Sequence, residues 1–354
     1  MSGFASEDPA SPILLVTYGG LGDCVRTFTV ARLIQERHPG RPLDIMSRAP
    51  WHEIIPFMEG IRGAYGEHTP HGSLGVREKL ALAARIRKAG YGRAYILSRN
   101  YKAALIPFLA GIPVRIGYFG EGRVLLINRI QPEFQPEDRE IVRMCKAVLE
   151  PGEALPGALP LPRLTVPFQQ LAAWKARENV ADEPRPVLVL ALGATDPMRR
   201  WPVENFIEIA RRASRRGWAV WILAGALEAH LAARIAAVVP TPVFQGHTIP
   251  DLVMKLAAAD VVVANESGPL HVAAALGRPT VGILGPTGFE FTPLNPFVAV
   301  EPPRLADGTF LMEEGRRSVR AVAVDQIDAA VVALMKRAAP DGQTLQPPAH
   351  TPGA

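Results

Sequence analysis

The sequence predicts an α/β chain of two doubly wound, parallel-sheet halves in tandem, on three observations. Ile13-Leu14-Leu15-Val16 runs into Gly19-Gly20-Leu21-Gly22-Asp23, and Val187-Leu188-Val189-Leu190 nearly repeats this ahead of Leu192-Gly193-Ala194. In both places Pro precedes a short apolar run that ends at Gly, as where a buried parallel strand turns into a helix. Helical and strand patterns then alternate along most of the chain. Finally, 354 residues with 48% hydrophobic content suffice for two cores. Doubly wound sheets bind ligands outside the carboxyl ends of their strands, so function is expected in a crevice shared by the halves.

The elements follow in order. The first half opens with a strand over 13–18 and a helix over 24–37, followed by strands at 42–46 and 93–98 and helices near 77–89 and 100–110. Pro and Gly crowd the stretch from Pro151 to Pro167, which has few charges and no hydrophobic period, and the linker is placed there. The second half runs helix 170–179, strand 187–192, helix 202–216, strand 218–224, helix 227–238, strand 242–244, helix 250–258, strand 260–264, helix 267–276 and strand 280–284. A helix near 324–337 follows a long loop and is expected to pack back on the first half. Pro340 to Ala354 reads as a frayed tail. The expected domains are 1–165, with the linker from about 151, then 166–338, then a flexible tail over 339–354.

A net charge of +5, spread over 39 basic and 34 acidic residues with no basic run of five, points to anionic small molecules or a membrane surface. No nucleic-acid partner is expected. Two cysteines, Cys24 and Cys145, each inside a predicted helix, argue against a disulfide framework and fit a reducing cytoplasm. The N-terminus has no basic, apolar signal pattern, and no stretch approaches the ~18 apolar residues of a membrane span, so any membrane association is expected to be peripheral.

Gly19, Gly20 and Gly22 lie between the first strand and its helix, where glycines bring backbone N–H groups close to a ligand at a helix N-terminus. The run is not G-x-G-x-x-G, because Val25 stands where the third glycine belongs, which disfavours a nicotinamide enzyme. Asp23 sits where an N-cap would. It either only caps the helix or accepts a proton from an attacking hydroxyl, a transfer that must then be concerted with attack.

In the second half Gly193-Ala194-Thr195 leads to Arg199-Arg200-Trp201-Pro202 between a strand and a helix. Two guanidinium groups there suit a diphosphate, since Arg stays charged and donates bidentate bonds; the alternative is two solvated arginines before a helix start. The most specific string, Asn265-Glu266-Ser267-Gly268-Pro269-Leu270-His271, ends an apolar strand and opens a helix. Ser267 is expected to cap that helix and face a phosphate with the first-turn N–H groups, and Glu266 to accept bonds from sugar or ribose hydroxyls. His271 lies four residues after Ser267 on the same helical face, either toward that ligand or satisfied inside the domain. Gly285-Pro286-Thr287-Gly288 follows the next strand as a loop over the same crevice. His68 and His71 have no partner at metal-ligand spacing, and H-E-x-x-H, G-x-S-x-G and P-loop motifs are missing, so no catalytic metal is expected.

Taken together, these strings resemble glycosyltransferase family 9, the ADP-heptose:lipopolysaccharide heptosyltransferases, over roughly residues 13–335. Gly20-Leu21-Gly22-Asp23 is similar to the family's G-x-x-G-D turn, and Arg199-Arg200-Trp201-Pro202 to its Lys-x-Trp-Pro, with Arg199 at the phosphate-binding lysine. Asn265 to His271 is similar to N-D-[ST]-G-x-x-H, with Glu266 in place of the usual aspartate, and Gly285-Pro286-Thr287 to the G-P-T loop. Asn100 to Leu105, with Ala110 to Pro113 and Arg115 to Tyr118, looks like the heptosyltransferase II branch.

The resemblance implies a GT-B fold of two facing Rossmann-like domains, the first binding acceptor and the second a nucleotide sugar. It implies an inverting, metal-independent transfer of heptose from ADP-heptose to a lipid A–core or other glycan acceptor, with Asp23 as base. Gly193, Thr195, Arg199, Arg200, Glu266, Ser267, Gly268, Pro269 and His271 are then the donor-binding residues, with Glu228 aligned near a ribose-binding acid. Location in the cytoplasm, at the inner face of the membrane, is expected. Glu266 also admits another nucleotide sugar, and a GT-B-type epimerase is the alternative that needs no acceptor.

Overall fold

The computed structural model describes residues 7–338 except 18, 70–74, 133, 134, 136, 137, 151, 243, 307, 314 and 315. The chain divides into two compact units, Met1–Pro167 with Thr248–Val253, and Phe168–His247 with Met254–Ala354. His71 and the expected tail over 339–354 lie outside the described residues.

In chain order the first unit contains β1 (Ile13–Val16), α1 (Leu21–Arg37), β2 (Leu43–Arg48), β3 (Gly63–Glu67), α2 (Val76–Lys88), β4 (Arg93–Ile96), α3 (Tyr101–Leu109), β5 (Val114–Tyr118), β6 (Arg129–Gln131) and α4 (Glu140–Lys146). Its strands form one parallel sheet in the order β3-β2-β1-β4-β5-β6. All four β1 residues are fully buried, as a central strand covered on both faces requires. Strand order reverses between β1 and β4, so the β1–α1 turn lies at the switch point where such sheets bind ligands.

The remaining elements are α5 (Phe168–Arg177), β7 (Val187–Ala191), α6 (Val203–Arg215), β8 (Ala219–Leu223), α7 (Ala229–Ala236), α8 (Ile249–Ala257), β9 (Val261–Asn265), α9 (Gly268–Ala275), β10 (Thr280–Ile283), β11 (Val298–Val300), the hairpin β12 (Met312–Glu313) and β13 (Arg316–Arg317), and α10 (Val324–Ala338). A second parallel sheet runs β11-β10-β9-β7-β8, with its switch between β7 and β9. Helix α6 buries Val203, Phe206, Ile209, Ala210 and Ala213, a stripe at helical spacing, and turns its arginines outward.

Three expectations need correction. Helix α10 packs on the second unit's core, not on the first half: Ile327, Val331, Leu334 and Met335, one helical stripe, join Leu190, Phe206, Val263 and Ile283 in one cluster. Its Asp325 and Asp328 pair at 2.7 Å with Arg212 in α6 and with Arg216, which caps the C-terminus of α6, fixing its direction. The strand expected at 242–244 is not among the described strands. Pro240 and Pro242 supply no N–H to a ladder, and Phe244 instead stacks on Trp174 at 5.7 Å and meets Trp221 edge-on at 5.2 Å. The helix expected at 227–238 begins as a 3₁₀ turn over Ala226–Glu228 because the Glu228 carboxylate folds back onto the Gly225 N–H.

Cys24 and Cys145 are both buried free thiols. Among the described residues no helix is long and apolar enough to cross a membrane.

Candidate functional site

Four loops of the second unit leave the carboxyl ends of neighbouring strands β7, β8, β9 and β10. Asn265, the fully buried last residue of β9, ties two of them together. Its amide donates to the Leu192 carbonyl at 2.8 Å and its oxygen accepts the Trp201 N–H at 3.1 Å. The Trp201 indole N–H donates to the Val322 carbonyl at 2.9 Å, so the turn bearing Arg199 and Arg200 is pinned from two sides. Asp196 opens that turn by accepting the Met198 N–H at 3.0 Å. This bond, aided by an ion pair with Arg316, holds its carboxyl below the usual range.

Two clusters result. In one, Arg199 directs its guanidinium at Glu266, 3.6 Å away, across the face of Phe291. Glu266 is only 2% exposed, and the Thr287 hydroxyl donates to its carboxylate. The Arg199 Nε is buried and has no hydrogen-bond partner among the described residues. In the other, Arg200 donates to the Ala194 carbonyl at 2.8 Å and pairs with Glu228 at 3.4 Å. Gly193 lies against that carboxylate, which a Cβ there would meet at 3.4 Å. Neither arginine is a merely solvated charge. Thr195 is exposed on the same loop.

Ser267 occupies the N-cap of α9 as expected, yet its hydroxyl donates to the Asn265 carbonyl at 3.1 Å and caps nothing. Its extended backbone turns the hydroxyl back toward the strand end. Gly268 and Pro269 form the first turn, where Pro is tolerated because first-turn N–H groups lack intrahelical partners. His271 follows in the next position but one and is buried.

At the β1 switch point the helix begins at Leu21, three residues earlier than expected, so Gly20 is the N-cap and Asp23 the third helical residue. Asp23 is therefore not the N-cap, and Gly22 belongs to the helix rather than the loop. The Asp23 carboxylate accepts the Gly20 N–H at 2.8 Å and pairs with Arg26, whose side chain is almost wholly buried. A Cβ on Gly19 would stand 2.0 Å from the same carboxylate, so only glycine leaves it room. Burial pushes the neighbouring Cys24 thiol up to about 12, which leaves it un-ionised at neutral pH.

Sequence reading did not assign Asn265, Thr287 and Phe291 to the site. Asn265 and Thr287 stood inside motifs at strand ends, a usable signal; Phe291 lies in an irregular loop with none.

Comparison with known proteins gives one picture. Glycosyltransferase family 9 (heptosyltransferase) matches residues 79–301. Lipopolysaccharide heptosyltransferase 2 of Escherichia coli strain K12 is 30% identical over 295 residues, covering 79% of this chain and 84% of that protein. The solved E. coli ADP-heptose lps heptosyltransferase II superposes with a TM-score of 0.80 at 26% identity, over 92% of this chain and 99% of that one. The E. coli heptosyltransferase WaaC with ADP shares the fold, with a TM-score of 0.70 at 16% identity, over 91% of this chain and 99% of that one.

Proposed function

Because the chain belongs to glycosyltransferase family 9, the heptosyltransferases, and is thereby a glycosyltransferase with two Rossmann-like units of the GT-B class, we propose that it moves heptose from ADP-heptose to a lipopolysaccharide-core acceptor. The first unit binds the acceptor and the second the donor. Asp23 takes the proton from an acceptor hydroxyl as that oxygen attacks the anomeric carbon. The bond from that carbon to the diphosphate oxygen breaks in the same step, with inversion. Arg199, Arg200 and the N-terminus of α9 receive the developing phosphate charge without a metal, and such fixed charges commonly supply the largest share of catalysis.

The single observation that carries this reading is Arg199: a guanidinium whose buried Nε has no hydrogen-bond partner among the described residues, lying at the carboxyl end of a parallel sheet beside a helix N-terminus. A phosphate oxygen supplies the missing acceptor. Glu266 then meets sugar hydroxyls, held by Thr287. The protein acts in the cytoplasm at the inner face of the membrane, where a lipid-borne acceptor is presented.

A second reading keeps the chemistry and changes the sugar, because Glu266 reaches about one methylene further than the family's aspartate. Calorimetric titration with ADP, UDP, GDP and CDP, with and without chelator, tests both. Binding of ADP that survives chelation supports the proposal; preference for UDP or GDP overturns the donor.

A further inference from the structure

The first unit carries an apolar surface set among arginines that the transferase reading does not use. Leu125 is 81% exposed, Ile130 52%, Val124 49% and Phe108 42%, on α3, on the crossover between β5 and β6, or on β6 itself. The Arg115 guanidinium lies over the Phe108 ring at 5.4 Å and donates to the Leu126 carbonyl at 2.7 Å, joining the end of α3 to the Val124–Leu125 turn. Asn128 grips the backbone of Arg115, accepting its N–H at 2.8 Å and donating to its carbonyl at 3.0 Å, which sets Ile130 on the edge strand beside it, level with Gly117 on the α3 side of the sheet. From α2, Arg87 donates to the Leu109 and Ala110 carbonyls at the end of α3. Below, Leu82, Ile86, Ala104, Ile106 and Ile127 share one core cluster, so the outer sides of α2, α3 and the crossover belong to one side of the sheet.

Charge on this face is mostly positive. Between Arg99 and Gln131, Arg99, Lys102 and Arg115 reach its surface, Arg123 being buried, against the single acid Glu121, whose carboxylate accepts the Tyr101 N–H at 2.8 Å. The last ten residues of α2 add Arg85, Arg87 and Lys88, all exposed, and no acid. We propose that this face, the outer side of α2 and α3 with the β5–β6 crossover, docks on an anionic phospholipid bilayer.

Side-chain chemistry selects that occupant. Guanidinium groups donate bidentate bonds to phosphate headgroups, and the aliphatic tips of Val124, Leu125 and Ile130 enter the apolar layer just beneath. A second copy would set like charges face to face. Single-stranded nucleic acid calls for aromatic stacking platforms, whereas Leu125, the most exposed apolar tip here, is aliphatic, as are Val124 and Ile130. The surface rests on the proposed function only for its setting, a membrane-borne acceptor; its binding test uses no turnover.

Co-sedimentation of the full chain with vesicles of phosphatidylethanolamine and phosphatidylglycerol, against phosphatidylcholine alone, tests it. The unmodified protein is expected to bind the anionic vesicles and to leave them as salt rises, since headgroup attraction fades within a Debye length. Leu125→Asp and Lys88→Glu are each expected to lower the bound-to-free ratio about tenfold, each adding repulsion from the headgroups. Phe168→Asp, which changes an exposed apolar residue of the second unit, is expected to leave binding unchanged. Because Leu125 and Lys88 are exposed, thermal melts of both variants should match the unmodified protein. Equal binding to neutral vesicles, no vesicle binding at all, or full binding by Leu125→Asp overturns the proposal. So does a dimer that Leu125→Asp dissolves without any change in vesicle binding.

Discussion

Replacing Arg199 with alanine does two things that can be measured apart. Glu266 is nearly inaccessible, so loss of Arg199 leaves a buried carboxylate without that cation, although the Thr287 hydroxyl still donates to it. Breaking a fully buried pair costs 3–5 kcal/mol; because the Arg199 side chain is 25% exposed and Thr287 stays, the expected loss in urea unfolding is about 1–2 kcal/mol. Binding loses more. Each hydrogen bond to a charged group contributes about 1.5–3 kcal/mol, and the stranded carboxylate now faces the diphosphate, so ADP should bind at least about 100-fold more weakly by calorimetry. Glu266→Gln separates the two effects. Alone it frees Arg199 and removes a negative charge, so ADP should bind as tightly as before or tighter, while ADP-heptose, whose sugar loses an acceptor, should bind more weakly. Added to Arg199→Ala, it should recover most of the lost stability and about tenfold in ADP affinity. If Arg199→Ala binds ADP like the unmodified chain, or Glu266→Gln weakens ADP, the coupled-pair reasoning is wrong.

Further outcomes follow from other parts of the molecule. Gly19→Ala places a methyl group where the Asp23 carboxylate sits, so the carboxylate should swing away from the Gly20 N–H, lowering kcat by about 10²-fold or more while ADP affinity is unchanged. Thr287→Val should raise the KM for the sugar nucleotide with little effect on ADP, and Thr287→Ser should restore it. Burial, with Arg93, Arg41 and Arg37 nearby, pushes His38 down to about 4 from 6.5. Between those values the unfolded chain binds a proton that the folded chain does not, so stability should fall as pH drops from 6.5 towards 4. The full difference corresponds to about 3 kcal/mol, which solvent screening of this half-exposed ring reduces to about 1 kcal/mol. Glu7, held low by Arg93 and Arg41 against its burial, begins to lose its contribution only below 4.5, so His38→Gln should make the melting-temperature profile shallower above that pH, with a residual slope from His52, which burial also holds low.

Much of the fold was legible because β1, β7 and β9 are continuous apolar runs that end in glycine or polar residues, and because α6 has a clean helical stripe. Strands β3 and β5 went unread: Gly63, Gly66 and Gly117 interrupt their side-chain pattern, and only their parallel neighbours define them as strands. The Phe244 segment misled in the opposite direction, its apolar side chains serving an aromatic cluster rather than a ladder. At the site, residue types and their places at strand ends were readable. The pairing of Arg199 with Glu266 and of Arg200 with Glu228 was not, since each joins loops from different strands and depends on how the sheet is ordered.

The measurement that bears most directly on the central claim is mass spectrometry of a truncated lipopolysaccharide acceptor incubated with ADP-heptose and the purified protein, beside Asp23→Asn. The acceptor should gain the mass of one heptose with the unmodified chain, and gain nothing with Asp23→Asn although that variant still binds ADP. Transfer at full rate by Asp23→Asn would remove the base; no transfer from ADP-heptose, with transfer from another nucleotide sugar, would contradict the donor.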